Sequence, residues 1–198
     1  MSAVGKSCSA VCILLCLLYS SPLGAQNPPD KSPPVNPDSQ IVASFENQVK
    51  DYVKLHNQAK SGIPPLKRTA SADDIEQYEH LLADRIRTAR SAARQGDIFS
   101  PDVSREFERL IALSYQGRNA TRVRESLRHA EPVTAVRVKV NAAYPERVPL
   151  QSTPPSVLLN LPPLPPELDY RIVGHELVLR DVGANLIVDY VPGAIPSS

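Results

Sequence analysis

Residues 168–191 read Leu-Asp-Tyr-Arg-Ile-Val-Gly-His-Glu-Leu-Val-Leu-Arg-Asp-Val-Gly-Ala-Asn-Leu-Ile-Val-Asp-Tyr-Val. Three short runs, 168–173, 176–180 and 186–191, are rich in Leu and β-branched residues and are bounded by turn formers, which is the signature of strands. Gly174-His175 is a two-residue hairpin connection of the Gly-X kind, and 181–185 makes the second turn. The expectation is an antiparallel meander. Tyr170 and Ile172, Leu177 and Leu179, and Leu186, Val188 and Tyr190 are expected on one apolar face. Three strands alone are marginal, so that face requires a second layer to cover it.

The covering layer lies upstream. Immediately before the strands, Pro162, Pro163, Pro165 and Pro166 form a stiff, polyproline-like brace. Before that, Val136, Val138 and Val140 alternate with Arg137 and Lys139, the pattern of a half-buried strand. From Asp38 to about Ala130 the period is helical. Asp38 or Ser39 caps a first helix with Ile41, Val42, Phe45, Val49, Tyr52, Val53 and His56 on one side, stopped by Gly62 and Pro64. Ser71 caps a second, with Asp73, Asp74 and Glu76 in its first turn and a stripe of Ile75, Tyr78, Leu82, Ile86 and Ala89. Ser100-Pro101 opens a third, carrying Val103, Phe107, Leu110, Ile111 and Tyr115. Asn119 caps a shorter fourth with Val123, Leu127 and Ala130. The chain therefore reads as α+β: a bundle of about four helices over 39–130, with a C-terminal meander in region 131–198 packed on it.

The N-terminus carries an address. Lys6 precedes an apolar run from Ala10 to Tyr19, Ser20-Ser21-Pro22 breaks it, and Leu23-Gly24-Ala25 supplies a small residue before a cut. That order is the one of a secretory signal peptide over 1–25, and the run is too short for a spanning helix. Lipidation at Cys16 is the lesser alternative, because Leu15 stands where a small residue is wanted. Residues 26–38, with Pro28, Pro29, Pro33, Pro34 and Pro37, are expected to be a disordered tether. No later segment is long and apolar enough to span a bilayer.

Composition removes several chemistries. The chain has 198 residues, with 20 Pro, 8 Gly, no Trp and 3 Cys. Cys8, Cys12 and Cys16 all fall in the apolar run, so cleavage after Ala25 leaves no thiol. A disulfide framework, a Cys-ligated zinc site and a cysteine nucleophile are excluded together. Lys plus Arg is 22 against 21 for Asp plus Glu, a balance unlike that of a generally basic nucleic-acid binder. There is no Gly-x-Ser-x-Gly elbow, no Gly-rich phosphate loop and no Ser-x-x-Lys. No cofactor and no metal site is expected.

The remaining polar candidates have ordinary roles to set beside functional ones. His56 fits a core or edge histidine. Glu76 and His80 share a solvated helix face, and His129 sits where a helix C-terminus favours a cation. Arg118, Arg122, Arg124 and Arg128 form a basic cluster that Glu125 interrupts, and Asn119-Ala120-Thr121 matches a glycosylation pattern. Exposed turns carry binding residues more often than regular elements do. Arg171, His175, Glu176, Arg180 and Asp181, around the hairpin turns, are therefore the candidate rim of a binding site. None of them is assigned a catalytic role.

The stretch 161–192, brace and meander together, resembles the C-terminus of uncharacterised exported bacterial proteins. The resemblance implies a bacterial envelope or secreted setting and transfers no activity. The expected function is that of a non-catalytic exported protein, periplasmic or extracellular, contacting another envelope protein through the open edge of its sheet. The alternative is a small-ligand binder or hydrolase-type enzyme with its site between helices and sheet. The oligomeric state is not legible.

Overall fold

The structure, a computed structural model, describes residues 37–114, 116, 121, 137–145, 157 and 159–196. These form three helices, α1 (Pro37–Lys60), α2 (Ala72–Ala89) and α3 (Pro101–Ser114), and three strands, β1 (Leu168–Val173), β2 (Glu176–Asp181) and β3 (Leu186–Val191). The α+β reading holds at this level. The expected fourth helix, residue 121 apart, lies outside the described residues, as do the leader and the tether as far as residue 36.

Local chemistry sets the helix ends. Pro37 opens α1 at a position that does not need its missing N–H, and Gly62, with φ 79°, follows its end. Ser71 caps α2 in a reciprocal box: its Oγ accepts from Asp74 N at 3.1 Å, and Asp74 Oδ2 accepts from Ser71 N at 2.9 Å. The α1 stripe buries Phe45, Val49, Tyr52 and His56, and α3 buries Val103, Phe107 and Ile111. On α2 the buried stretch is narrower than the stripe suggested: Leu82, Ala83 and Ile86 are inside, whereas Ile75 and Ala89 are exposed.

The strands form a sheet in the order β1-β2-β3, antiparallel throughout. Gly174, at φ 61°, makes the tight turn between β1 and β2. One difference from the expected alternation matters. The β2–β3 register shifts between Leu179, opposite Asp189, and Arg180, opposite Ile187, so Val188 is an extra residue. A bulge of this kind switches the faces of the strand beyond it. Leu186 and Val188 enter the main core, as expected. Past the bulge, Asp189 and Val191 take the core side, and Tyr190 turns to the other face.

Two apolar clusters result. The main one lies between helices and sheet, where Phe45, Phe99 and Phe107 meet at 4.8–5.6 Å and Tyr170 joins Phe107 at 6.0 Å. The smaller one, on the outer face of the sheet, joins Tyr144, Val173, Val178 and Ile187. The segment expected as a strand around Val138 forms none over the described residues 137–140. The chain instead bends at Asn141, φ 63°, and pairs with β3 just beyond, through Asn141 N to Ile187 O, Ile187 N to Ala142 O and Tyr144 N to Asn185 O. The brace is held by the Tyr170 hydroxyl, which donates to the Pro162 carbonyl at 3.0 Å.

Candidate functional site

The densest polar cluster sits where α1 meets the β2–β3 turn. Tyr52 and His56 are four residues apart, so one helix face presents both. The Tyr52 hydroxyl donates to Asp181 Oδ2 at 2.7 Å, and His56 Nδ1 lies 2.6 Å from the same oxygen. Oδ1 accepts from Ala184 N at 2.8 Å, closing the turn. Asp181 is fully buried and His56 is 2% exposed. Burial, reinforced by the Asp181 charge and its hydrogen bond, pushes the Tyr52 hydroxyl far above its usual pKa, and Tyr52 remains a donor. Arg90 stacks 5.2 Å from the centre of the Tyr52 ring and donates to the Val188 carbonyl. Burial lowers its pKa, opposed by Tyr52 and by the carboxylates Asp189, Asp97 and Asp181. His56 and Asp181 thus form a buried imidazole–carboxylate pair with one short contact through Nδ1. Gly183 packs close to the ring: a Cβ there would lie 3.5 Å from His56 Cε1 and 3.5 Å from Leu82 Cδ2.

A second buried carboxylate, Asp189, lies on the core side of the neighbouring strand β3. Asp189 accepts from four backbone N–H groups: Gly96 at 3.0 Å and Tyr190 at 2.8 Å on Oδ1, Ile98 at 2.8 Å and Phe99 at 2.9 Å on Oδ2. It fixes the loop between α2 and α3. Arg90 and Gln95 from the same region also occupy the outer side of β3, on the Val188 and Tyr190 carbonyls. Together with 141–144, they take up the outer edge of β3 within the chain.

The five rim candidates divide among three places. Arg171 and Arg180 converge on Asp169 on the outer face of the sheet, with N–O distances of 2.6–3.1 Å. His175 and Glu176 are neighbours at the hairpin. His175 Nδ1 lies 3.0 Å from the Ile195 carbonyl, and the His175 carbonyl accepts from Ile195 N, tying the C-terminal segment to the turn. Glu176 Oε2 is buried without a hydrogen-bond partner among the described residues, and burial raises the Glu176 pKa against the opposing effect of His175. Asp181 is on the core face, away from the other four. His80 pairs with Glu76 at 3.7 Å on an exposed helix face. His129, the Arg118–Arg128 cluster and Asn119 lie outside the described residues.

An open groove of about 320 Å³ runs between α1 and the brace, lined by Phe45, Glu46, Val49, Lys50, Val53, Pro163 and Pro165. Proline supplies no N–H, so its walls are almost entirely apolar. Compared with family models, curated proteins and solved structures, the chain matches none. The site is therefore read from its own chemistry. Among the described residues no group of three or more His, Cys, Asp or Glu is placed to hold a metal, and no helix is long and apolar enough to cross a membrane.

Sequence reasoning placed His56 and Tyr52 on the correct helix face but did not pair them with Asp181. Asp189, Tyr144 and the groove were missed. The i, i+4 spacing of Tyr52 and His56 was the only local signal available for any of these.

Proposed function

We propose that this chain is an exported bacterial protein that acts without catalysis, by contact with a partner protein in the cell envelope, and that the groove between α1 and the brace is the contact surface. The leader-like order of residues 1–25 supports export. The groove carries the proposal for contact: apolar surface lies open there, while the buried carboxylates Asp181 and Asp189 are fully engaged within the fold. Glu46 and Lys50 stand one helical turn apart at its rim and make no ion pair among the described residues. The fitting occupant is thus an extended apolar segment of the partner, carrying a basic and an acidic residue about 5–6 Å apart. Contact through the edge of β3 is less favoured, because that edge is already bonded within the chain.

Affinity capture from an envelope fraction, with wild type and Val53→Asp compared, tests this. Val53 is half-buried and lines the groove, so the charge spoils the surface while α1 persists by circular dichroism. A protein retained by wild type and lost with Val53→Asp is the expected result. Equal retention by both, or none by either, overturns it. The second reading, a ligand or hydrolase-type site between helices and sheet, draws on the His56–Asp181 pair. A compound that raises the melting temperature of wild type and not of His56→Ala would favour it.

A further inference from the structure

Among the described residues, the outer face of the sheet carries a charge that is not balanced. Arg171 and Arg180 share one carboxylate: Asp169 Oδ2 receives Arg171 Nε and Nη2 together with Arg180 Nη2, and Oδ1 receives Arg180 Nε. Arg180 Nη1 has a long contact of 3.4 Å to Asn185 Oδ1, and Arg171 Nη1 has no hydrogen bond among the described residues. The Arg180 guanidinium lies 5.1 Å from the centre of the Tyr144 ring. Tyr144 is 2% exposed, and its hydroxyl is buried without a hydrogen-bond partner among the described residues. Burial raises the pKa of that hydroxyl; Arg171 and Arg180 oppose the rise, and Asp169 adds to it.

Two guanidiniums facing one carboxylate leave a single positive charge. Beside it stands an O–H donor with nothing to donate to, and buried hydroxyls ordinarily find an acceptor. We propose that Arg171, Arg180 and Tyr144 form a binding site for a carboxylate monoanion, with the Tyr144 hydroxyl donating to one oxygen and a guanidinium N–H to the other. A carboxylate matches the single charge, accepts without donating, and offers two coplanar oxygens that suit a guanidinium fork. A phosphate dianion would place a surplus negative charge beside Asp169. The site is separate from the groove and stands or falls without it. Its ligand is either a small free carboxylate or the terminal carboxylate of a polypeptide.

The test is a titration of the full chain, labelled with nitrogen-15, followed through the arginine Nε–H signals at constant ionic strength. The probes are sodium acetate, sodium chloride, a short peptide with a free C-terminus and the same peptide amidated. Saturable shifts of the Arg171 and Arg180 signals with acetate or the free-acid peptide, absent with chloride, are expected. Tyr144→Phe keeps the ring under Arg180 and removes only the unbonded hydroxyl, so the fold is retained, and acetate affinity falls about tenfold, as for a lost hydrogen bond to a charged group. Tighter binding of the free-acid peptide, with its amide silent, assigns a polypeptide terminus; equal binding of acetate and peptide assigns a small free carboxylate. Chloride matching acetate, Tyr144→Phe binding acetate like wild type, or no saturable shift with any probe overturns the site.

Discussion

At the scale of single residues, the fold turns on two buried aspartates that solve the same problem differently. A carboxylate removed from water is tolerable only if donors replace the water. Asp181 takes two side chains from α1 and one backbone N–H, whereas Asp189 takes four backbone N–H groups. Replacing Asp189 with Ala strands those donors inside the protein, each at a cost of about 1–3 kcal/mol. The expected loss is about 3 kcal/mol or more in urea denaturation, and a loss under about 1 kcal/mol would show that water can take its place. Neither role was legible, because three of the donors to Asp189 come from 90–93 residues away in sequence. Glu176 makes the opposite case. Its pKa is raised because burial disfavours its charge, so its contribution is most favourable below the ordinary glutamate pKa and is lost as pH rises through the raised value. Glu176→Gln should therefore melt higher than wild type at pH 7, with the gap closing towards about pH 4. A gap that widens on acidification would contradict this sign.

Elements were read more successfully than residues where a period or a cap was at work. The stripes Phe45–Val49–Tyr52–His56 and Val103–Phe107–Ile111 repeat every three or four residues, and the structure buries them all. The cap of α2 is equally local. Asp74 has a lowered pKa, chiefly because it accepts from the Ser71 backbone N–H and then from the Ser71 hydroxyl. That contribution is present above the ordinary aspartate pKa and lost as pH falls through the lowered one. Ser71→Ala should cost about 1 kcal/mol at neutral pH, with increased amide exchange confined to the first turn of α2. Unchanged exchange there would remove the cap from the account. The failures at this scale share one cause. Alternation announces a strand but not whether a partner is in register, so 136–140 read as a strand while, among the described residues, pairing begins at Asn141. Alternation also counts residues on one strand only. The extra residue Val188 is defined by β2, and it put Asp189 where Tyr190 was expected.

For the molecule as a whole, α+β with helices covering one sheet face followed from the rule that each apolar face must meet another. How the layers are joined did not. Tyr52 and His56 bind α1 to the β2–β3 turn, and Asp189 binds the α2–α3 loop to β3, so two polar ties cross the apolar core. The rings Phe45, Phe99, Phe107 and Tyr170 in turn link α1, the α2–α3 loop, α3 and β1 in continuous contact. Phe107 is the node of that chain and is completely buried. Removing its ring leaves a cavity bordered by all the others, with an expected cost of about 3–5 kcal/mol. If helices and sheet form one cooperative unit, Phe107→Ala should lower amide protection in α1 around Val49 and in β1 around Ile172 by the same free energy as the global loss. Protection lost in α3 alone would mean that the helices open independently of the sheet, and the groove on α1 would then belong to a layer able to move by itself.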